Sequence, residues 1–510
     1  MKKNKIVYGS ESLLEKNKHF ICCLLILIVT ISSCSINNQI ARKANSILLK
    51  DTAISTGHIG ISIYEPAANK YWYNYDATKY FIPASNTKLF TLYAGMKYLG
   101  DSLVGLRYNN SNAINNVIPT GDPTFLHPDF KNQPVFDFLE KNINYISWSK
   151  RFINSIWKTE ALGNGWAWND YNDDYTVERS PFPVYGNVID FRLSKDSFYI
   201  DPFTGTNNMN SYPSVFKNKI YQNGYAVPMR NFYLKRSQFE NRFYLKESKG
   251  DFTTQSIPFV TNGIYTTKYI LNDLLYEFEY KRNVKEDSVN RGIAKQKHMD
   301  YLSLLKPKAN SDSLMNVMLV DMIGGSLSDY VDLTKYSILH SQPSDSLFKP
   351  MMHRSDNFFA EQTLLMASNE YLGYMSDGKI IDTILNSDLI NVPQKPKWVD
   401  GSGLSRYNLF TAQSFVYILN KMKKEFGFER MKIILPTGGE GTLSSYYKKD
   451  AGFIYAKTGT LSNNCAISGY LITKKGKLLI FSILANNYIT GATPVRKAVE
   501  QFLQQLREKY

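Results

Sequence analysis

Short apolar stretches bounded by turn residues occur near both ends of the chain. Residues 58–64 and 70–75 have the composition of strands and are separated by a turn-rich segment, 65–69. The same kind of pattern returns in residues 466–472 and 478–485, on either side of a Lys-Lys-Gly turn. We therefore predict one sheet that takes strands from both ends of the chain.

Helical periods accompany these strands. Residues 39–50 have helical spacing, and residues 493–508 form an amphipathic pattern. A further helix is predicted to begin at about Ser85, to carry an apolar face from Leu89 to Met96, and to end at Gly100.

The pattern changes between these ends. Residues 105–300 are rich in Asn, Asp, Tyr and Gly and contain short strand-like runs with few long helical periods, which predicts a mainly β insertion. Residues 300–450 return to helical periods, interrupted by glycine-rich loops at 400–404 and 437–441.

The first 34 residues have the features of an export signal. Five lysines precede an apolar run at residues 20–31, which is too short to span a bilayer comfortably. Small residues then lead to Cys34, with Ile31 three positions upstream, as in a bacterial lipoprotein signal. An ordinary secretory signal with a chance cysteine is the alternative. We expect residues 1–33 to be removed and Cys34 to carry a lipid that anchors the protein on the periplasmic side of a bacterial membrane.

Charge and cysteine use agree with export. The formal charge of +15 favours a polyanionic partner. Charge alone does not distinguish nucleic acid, an anionic membrane and an acidic polymer such as cell wall. Export makes nucleic acid implausible. Cys22 and Cys23 lie in the segment that would be removed, so Cys465 is the only expected free thiol and no disulfide framework is possible.

The sequence predicts no metal and no cofactor. Its histidines lack the spacing of known zinc-binding motifs. Those beyond the signal segment are His58, His127, His298, His340 and His353.

Three short motifs occur in an order that carries chemistry. Ser85 and Lys88 are three positions apart on a predicted helix, which places the amine beside the hydroxyl as a base beside a nucleophile. The same spacing occurs at several other serines, so alone it is weak. Only Ser85 opens an apolar helix and is followed in order by Ser355-Asp356-Asn357 and by the single Lys-Thr-Gly, which begins at Lys457. Chance co-occurrence is the alternative.

The ordered motifs resemble those of active-site serine penicillin-binding proteins and serine β-lactamases. The closer likeness is to the low-molecular-mass class C D-alanyl-D-alanine carboxypeptidases/endopeptidases, which carry a large insertion between the first two motifs. Further stretches are similar to that subfamily. They are GDPT at 121–124, GWAWND at 165–170, SDNFFAE at 355–361, DGSGLSRYN at 400–408, LPTGGEGTL at 435–443 and KTGTL at 457–461.

This resemblance implies an α/β (α+β) fold of the penicillin-binding/β-lactamase type, with an antiparallel sheet flanked by helices. Residues 35–104 and 301–510 would form this transpeptidase-type domain. Residues 105–300 would form the inserted β-rich region.

The resemblance also implies a mechanism. Ser85 would attack the carbonyl of the penultimate D-Ala, and Lys88 would take its proton. A lysine can be a base only if its pKa is lowered, and we expect burial and the nearby Lys457 to do so. Ser355 would relay a proton to the leaving amine, and Asn357 would orient the substrate amide.

Substrate binding is assigned to two groups of residues. In the Lys-Thr-Gly strand, Thr458 would bind the substrate carboxylate and Gly459 would let the substrate backbone approach. The N–H of Thr460 would share the oxyanion with that of Ser85. Asp170 and Arg406 would bind the zwitterionic end of the diaminopimelate side chain.

The expected partners are peptidoglycan stem peptides and β-lactams, together with the membrane through the lipid. The sequence leaves open the balance of carboxypeptidase and endopeptidase activity, and the oligomeric state. Two other functions remain alternatives. A serine β-lactamase would need a dedicated deacylation base, for which we assign no Glu. A non-catalytic peptidoglycan-binding lipoprotein would be expected to have lost a motif residue.

Overall fold

The structure is a computed structural model that describes residues 36–109, 116–142, 152–154, 156–194, 197–201, 220–222, 232–247, 254–284 and 331–510. The predicted signal segment and Cys34 lie outside these ranges, so their predictions stay untested. Among the helices described, none combines the length and apolar character that a bilayer crossing requires.

The elements before the second motif are α1 (36–49, ending in a π-helical turn at Asn45–Leu49), β1 (His58–Glu65), β2 (Lys70–Tyr75), α2 (Lys88–Tyr98), β3 (Ser102–Tyr108), β4 (Val117–Pro119), α3 (Pro134–Asn142), β5 (Val188–Ser194), β6 (Ser197–Asp201), β7 (Ile220–Gln222), β8 (Phe232–Arg236), β9 (Phe243–Glu247), β10 (Thr254–Pro258), α4 (Tyr265–Val284), β11 (Ser337–Pro343) and α5 (Ser344–His353). The remaining elements are α6 (Asn357–Leu372), α7 (Asp377–Asn386), α8 (Ala412–Phe426), α9 (Phe428–Ile434), β12 (Ile454–Leu461), β13 (Asn464–Ile472), β14 (Leu478–Asn486) and α10 (Ala492–Lys509).

The central sheet has five antiparallel strands in the order β12-β13-β14-β1-β2. The predicted sheet with strands from both chain ends is therefore confirmed. The predicted helices at the two ends are also present, as α1, α2 and α10.

The two faces of this sheet pack against different helices. On β14, Phe481 and Ile483 lie in the core beneath α1 and α10, whereas Ile480 and Leu484 face the core that includes α2, α6 and α8. Alternate side chains of a strand point to opposite faces, so a continuous apolar strand serves both layers. Each fully buried side chain of this size stabilises the fold by about 1.5–3 kcal/mol. The result is a helix–sheet–helix arrangement in which β12 is an edge strand.

The insertion has its own sheets and its own core. The strand orders are β10-β5-β6 and β7-β9-β8, with β7 and β9 parallel. We predicted few helices in this region, but α4 spans Tyr265–Val284 within it. Its buried residues Ile270, Leu271, Leu274 and Leu275 recur at helical spacing and pack into the core of the insertion.

A fourth sheet joins the two predicted regions. Strand β3 lies between β4 and β11, and it crosses the expected boundary at residues 104 and 105. Its partner β11 leads directly into α5. The division into domains at that boundary stays a prediction.

Candidate active site

Ser85 lies on a single 3-10 turn, Ala84–Thr87, that runs directly into α2. The preceding residue, Ala84, has a φ of 48°, which is unusual for a residue with a side chain. A Cβ on Gly403 would lie 1.9 Å from the carbonyl oxygen of Ala84. The glycine-rich loop after α7 therefore packs backbone to backbone against the turn and holds Ser85 in a half-buried position.

Lys88 is buried beside this serine. Its Nζ donates to Ser85 Oγ at 3.0 Å, to Asn357 Oδ1 at 2.6 Å and to the carbonyl of Ser402 at 2.8 Å. The spacing of three residues thus brings amine and hydroxyl within hydrogen-bonding distance, as the sequence predicted.

The environment of Lys88 makes it a usable base. Burial lowers the pKa of Lys88 from 10.5 to about 8, against the opposing effect of Asp400, Asp356 and Glu361. At pH 7 about one Lys88 side chain in ten is then neutral and able to accept a proton.

The second motif lies where α6 begins. Ser355 has a φ of 63°, and Asp356 caps the helix by accepting from the N–H of Phe359 at 2.9 Å. Asn357 accepts from Lys88 and donates to the carbonyl of Tyr175 at 2.9 Å. Both ends of its amide are engaged, so in this structure Asn357 positions Lys88 rather than pointing freely toward a substrate.

The third motif approaches along β12. Lys457 is fully buried, and its Nζ donates to Ser355 Oγ at 2.8 Å and to the carbonyl of Thr458 at 2.7 Å. Burial, together with the Lys88 ammonium, lowers the pKa of Lys457 well below its usual value. The five motif residues therefore form one continuous site between α2, α6 and β12.

One electrostatic expectation needs correction. We expected Lys457 to contribute to the low pKa of Lys88, but burial is the cause at Lys88. The repulsion between the two cations lowers the pKa of Lys457 instead.

The role expected for Gly459 also changes. A Cβ at this position would lie 2.6 Å from the carbonyl of Pro83 and 2.9 Å from the nitrogen of Ser85. Glycine is thus required here because β12 packs against the turn that carries the nucleophile, before any substrate is considered. Asn86 joins the same turn to the neighbouring strand β13 through a 2.7 Å bond to Ser468 Oγ.

The two threonines of the strand lie toward α10. Thr458 is one of the residues around a cavity between the sheet and that helix, and the hydroxyl of Thr460 accepts from Arg496. The Thr460 hydroxyl is thus engaged by α10, and the oxyanion role of the Thr460 N–H and the carboxylate role of Thr458 stay predictions.

Asp170 and Arg406 lie beside different parts of the site. Asp170 ends the short turn Trp168–Asp170. The hydroxyl of Tyr175 donates to Asp173 at 3.1 Å, and burial, together with Asp173 and Asp170, raises the pKa of Tyr175, whose carbonyl contacts Asn357. The exposed Arg406 donates to the carbonyl of Ser462 at 3.0 Å, in the turn after β12. We missed Tyr175, although it follows Asp170 closely in the sequence.

A buried acidic cluster beneath Lys88 was also not assigned. Asp400 accepts from Trp166 Nε1 and from the N–H groups of its own loop. Glu361 accepts from the N–H of Ser402 at 2.7 Å, and burial and Asp400 raise the pKa of Glu361 to about 7. Both acids stand in the recognised stretches, but only the fold reveals that they meet. Among the residues described, no group of His, Cys, Asp and Glu could hold a metal ion.

A serine and a buried lysine on one helix, completed by a Ser-Asp-Asn turn and a Lys-Thr-Gly edge strand, define a serine enzyme of the penicillin-binding type. Comparison with known proteins gives the family. The chain belongs to the D-Ala-D-Ala carboxypeptidase 3 (S13) family, whose sequence model matches residues 41–275 and 334–509. It is accordingly a serine-type D-Ala-D-Ala carboxypeptidase.

Two relatives cover most of the chain. It is 24% identical over 475 residues to the D-alanyl-D-alanine carboxypeptidase of Actinomadura sp. (strain R39), which covers 88% of this chain and 81% of the relative. It is 22% identical over 448 residues to the D-alanyl-D-alanine carboxypeptidase DacB of Haemophilus influenzae, which covers 82% and 83%.

A solved structure confirms the fold class. Penicillin binding protein 4 (dacB) from Haemophilus influenzae has a TM-score of 0.61 at 17% identity, covering 92% of this chain and 99% of that one. The same protein in complex with a β-lactam has a TM-score of 0.59.

Proposed function

We propose that Ser85 is the residue acylated in the carboxypeptidase reaction. The observation that carries this proposal is the 3.0 Å bond between Lys88 Nζ and Ser85 Oγ, made by a lysine whose pKa burial lowers to about 8. A neutral lysine at that distance accepts the hydroxyl proton as the Ser85 oxygen forms a bond to the penultimate D-Ala carbonyl.

Collapse of the tetrahedral intermediate breaks the C–N bond to the terminal D-Ala. The leaving amine takes a proton from Ser355, which Lys457 touches at 2.8 Å and can resupply. The oxyanion lies between the N–H groups of Ser85 and Thr460, and each such donor contributes about 3 to 4 kcal/mol. Water then attacks the acyl-enzyme and releases the shortened peptide.

The stem peptide is proposed to place its diaminopimelate side chain between Asp170 and Arg406. A carboxylate and a guanidinium suit the amino and carboxylate groups of that side chain, and arginine can hold a carboxylate with two hydrogen bonds. Some family members carry Gln where this chain has Ser462, the residue whose carbonyl Arg406 contacts. Ser462 is therefore the position at which this chain departs from the pattern of those members.

Digestion of purified muropeptides tests activity and specificity together. Loss of one alanine mass from pentapeptide shows carboxypeptidase activity, and conversion of crosslinked dimers to monomers shows endopeptidase activity. We expect kcat/KM to favour stem peptides with diaminopimelate over those with lysine. Asp170→Ala and Arg406→Ala should lose that preference. If both variants keep it, the side-chain pocket is wrong while the Ser85 mechanism stands.

We also propose that the enzyme works at a membrane surface through a lipid on Cys34, as the sequence of residues 20–34 supports. The protein should fractionate with membranes, and Cys34→Ala should move it to the soluble periplasmic fraction. Unchanged fractionation of the variant would contradict this anchor.

A further inference from the structure

Arg179 is a buried cation of the insertion that no recognised motif contains. Its side chain is 2% exposed. Nη1 donates to Asp377 at 2.6 Å and to Glu361 Oε2 at 3.3 Å, and Nη2 donates to the carbonyl of Glu160 at 2.8 Å. The guanidinium also lies over the ring of Trp166. Arg179 therefore joins the insertion to helices α6 and α7.

A short chain of hydrogen bonds leads from this arginine to the base. Glu361 uses its other oxygen, Oε1, to accept from the N–H of Ser402 at 2.7 Å. The carbonyl of Ser402 accepts from Lys88 Nζ at 2.8 Å. Arg179, Glu361 and the backbone of Ser402 thus form a continuous chain of hydrogen bonds that ends at Lys88.

We propose that Arg179 is a positioning residue for the reaction: it holds the Glu361 carboxylate against the loop that carries an acceptor for Lys88. The insertion thereby takes part in assembling the catalytic centre. This inference rests on the proposed role of Lys88 as the base.

The charges around Glu361 and Lys88 give this support an electrostatic consequence. Burial and Asp400 raise the pKa of Glu361, and Arg179 opposes them. The groups acting on Lys88 are Asp400, Asp356 and Glu361, and Lys457 is the neighbouring cation. Without Arg179, Glu361 would bind a proton at neutral pH, and Lys88 would lose one of three nearby negative charges.

The expected result follows from that loss. In Arg179→Met the pKa of Lys88 falls, so the acidic limb of the acylation profile moves to lower pH by about one unit. The plateau rate falls by about tenfold because the Ser402 loop loses its support. Arg179→Lys keeps a positive charge without the planar fork, so it should lower the plateau and leave the limb near its wild-type position.

The chain offers a matched control on the same helix. Arg107 is also buried and donates to both oxygens of Glu370, near the end of α6, at 2.7 and 2.8 Å. Arg107→Met should lower the melting temperature as Arg179→Met does, because each removes the guanidinium partner of a half-buried or buried acidic side chain. It should leave the acidic limb unmoved.

The experiment measures how fast a fluorescent penicillin acylates the purified full chain from about pH 5 to 10, a range that includes the pKa of the base. Glu361→Gln removes the same charge and should move the limb in the same direction, so it carries the test if Arg179→Met does not fold. The double variant should match Glu361→Gln alone. A limb at the wild-type position in both single variants, or an equal movement in Arg107→Met, overturns the inference. Absence of labelling at Ser85 in the wild type would instead overturn the proposed function.

Discussion

Replacing Gly459 with alanine tests the packing of the third motif against the nucleophile. The added Cβ would lie 2.6 Å from the carbonyl of Pro83, 2.9 Å from the nitrogen of Ser85 and 3.0 Å from that of Asn86. Ordinary contacts begin at 3.4 Å, so the nearest approach is short by about 0.8 Å. All three neighbours are backbone atoms, which cannot rotate away. Strand β12 and the turn must therefore separate.

That separation should damage catalysis far more than stability. A displacement of about 1 Å among reacting groups costs on the order of 10²-fold in rate, and overpacking costs about 1 to 3 kcal/mol of folding free energy. We expect Gly459→Ala to remain folded and to acylate with a fluorescent penicillin about a hundred times more slowly.

Gly95→Ala is the matched control. A Cβ there would also approach to 2.6 Å, but against the ring of Phe348, at the far end of α2 from Lys88. Whether or not its stability falls, Gly95→Ala should not show a loss of acylation rate comparable to that of Gly459→Ala. If Gly459→Ala acylates within about threefold of the wild type, the packing explanation is refuted.

Two further predictions concern charge. Because burial lowers the pKa of Lys88 to about 8 and only the neutral amine accepts a proton, kcat/KM should rise about tenfold per pH unit below that value and level off above it. A profile that is flat from about pH 6 to 8 would exclude Lys88 as the base. Lys457→Gln removes the ammonium that contacts Ser355, so it should reduce acylation by about 10² or more, whereas burial sets the pKa of Lys88 and should keep this limb in place. Retained activity, or a limb that moves to higher pH, would contradict this division of roles between Lys457 and Lys88.

The framework of the molecule could be predicted from the sequence because its elements are local. Strands β1, β2, β13 and β14 are short apolar stretches between turn residues, and α2 is a mostly apolar helix that the core buries on every side from Lys88 to Met96. The ordered motifs identify Ser85 and Lys88 because three residues of helix bring them together without help from the rest of the chain. Local signals of this kind survive in a single sequence.

The rest depends on contacts between distant segments. Arg179 meets Glu361 across 182 positions of sequence, and no pattern within the insertion marks it. Gly459 looks like a residue that admits substrate, and only the fold shows the Ser85 turn against it. Helix α4 was missed because its surroundings are rich in strand-like runs. Burial, which sets the pKa of Lys88, is itself a property of the assembled structure.

The acylated residue can be identified directly. The purified protein is incubated with a fluorescent penicillin, digested, and the labelled peptide is mapped by mass spectrometry. The mechanism predicts a single label on Ser85 that is lost in Ser85→Ala. The label should be kept in the control variant Ser445→Ala, because Ser445 is an exposed serine that also lies three positions before a lysine. A label on another serine, or undiminished labelling of Ser85→Ala, would contradict it.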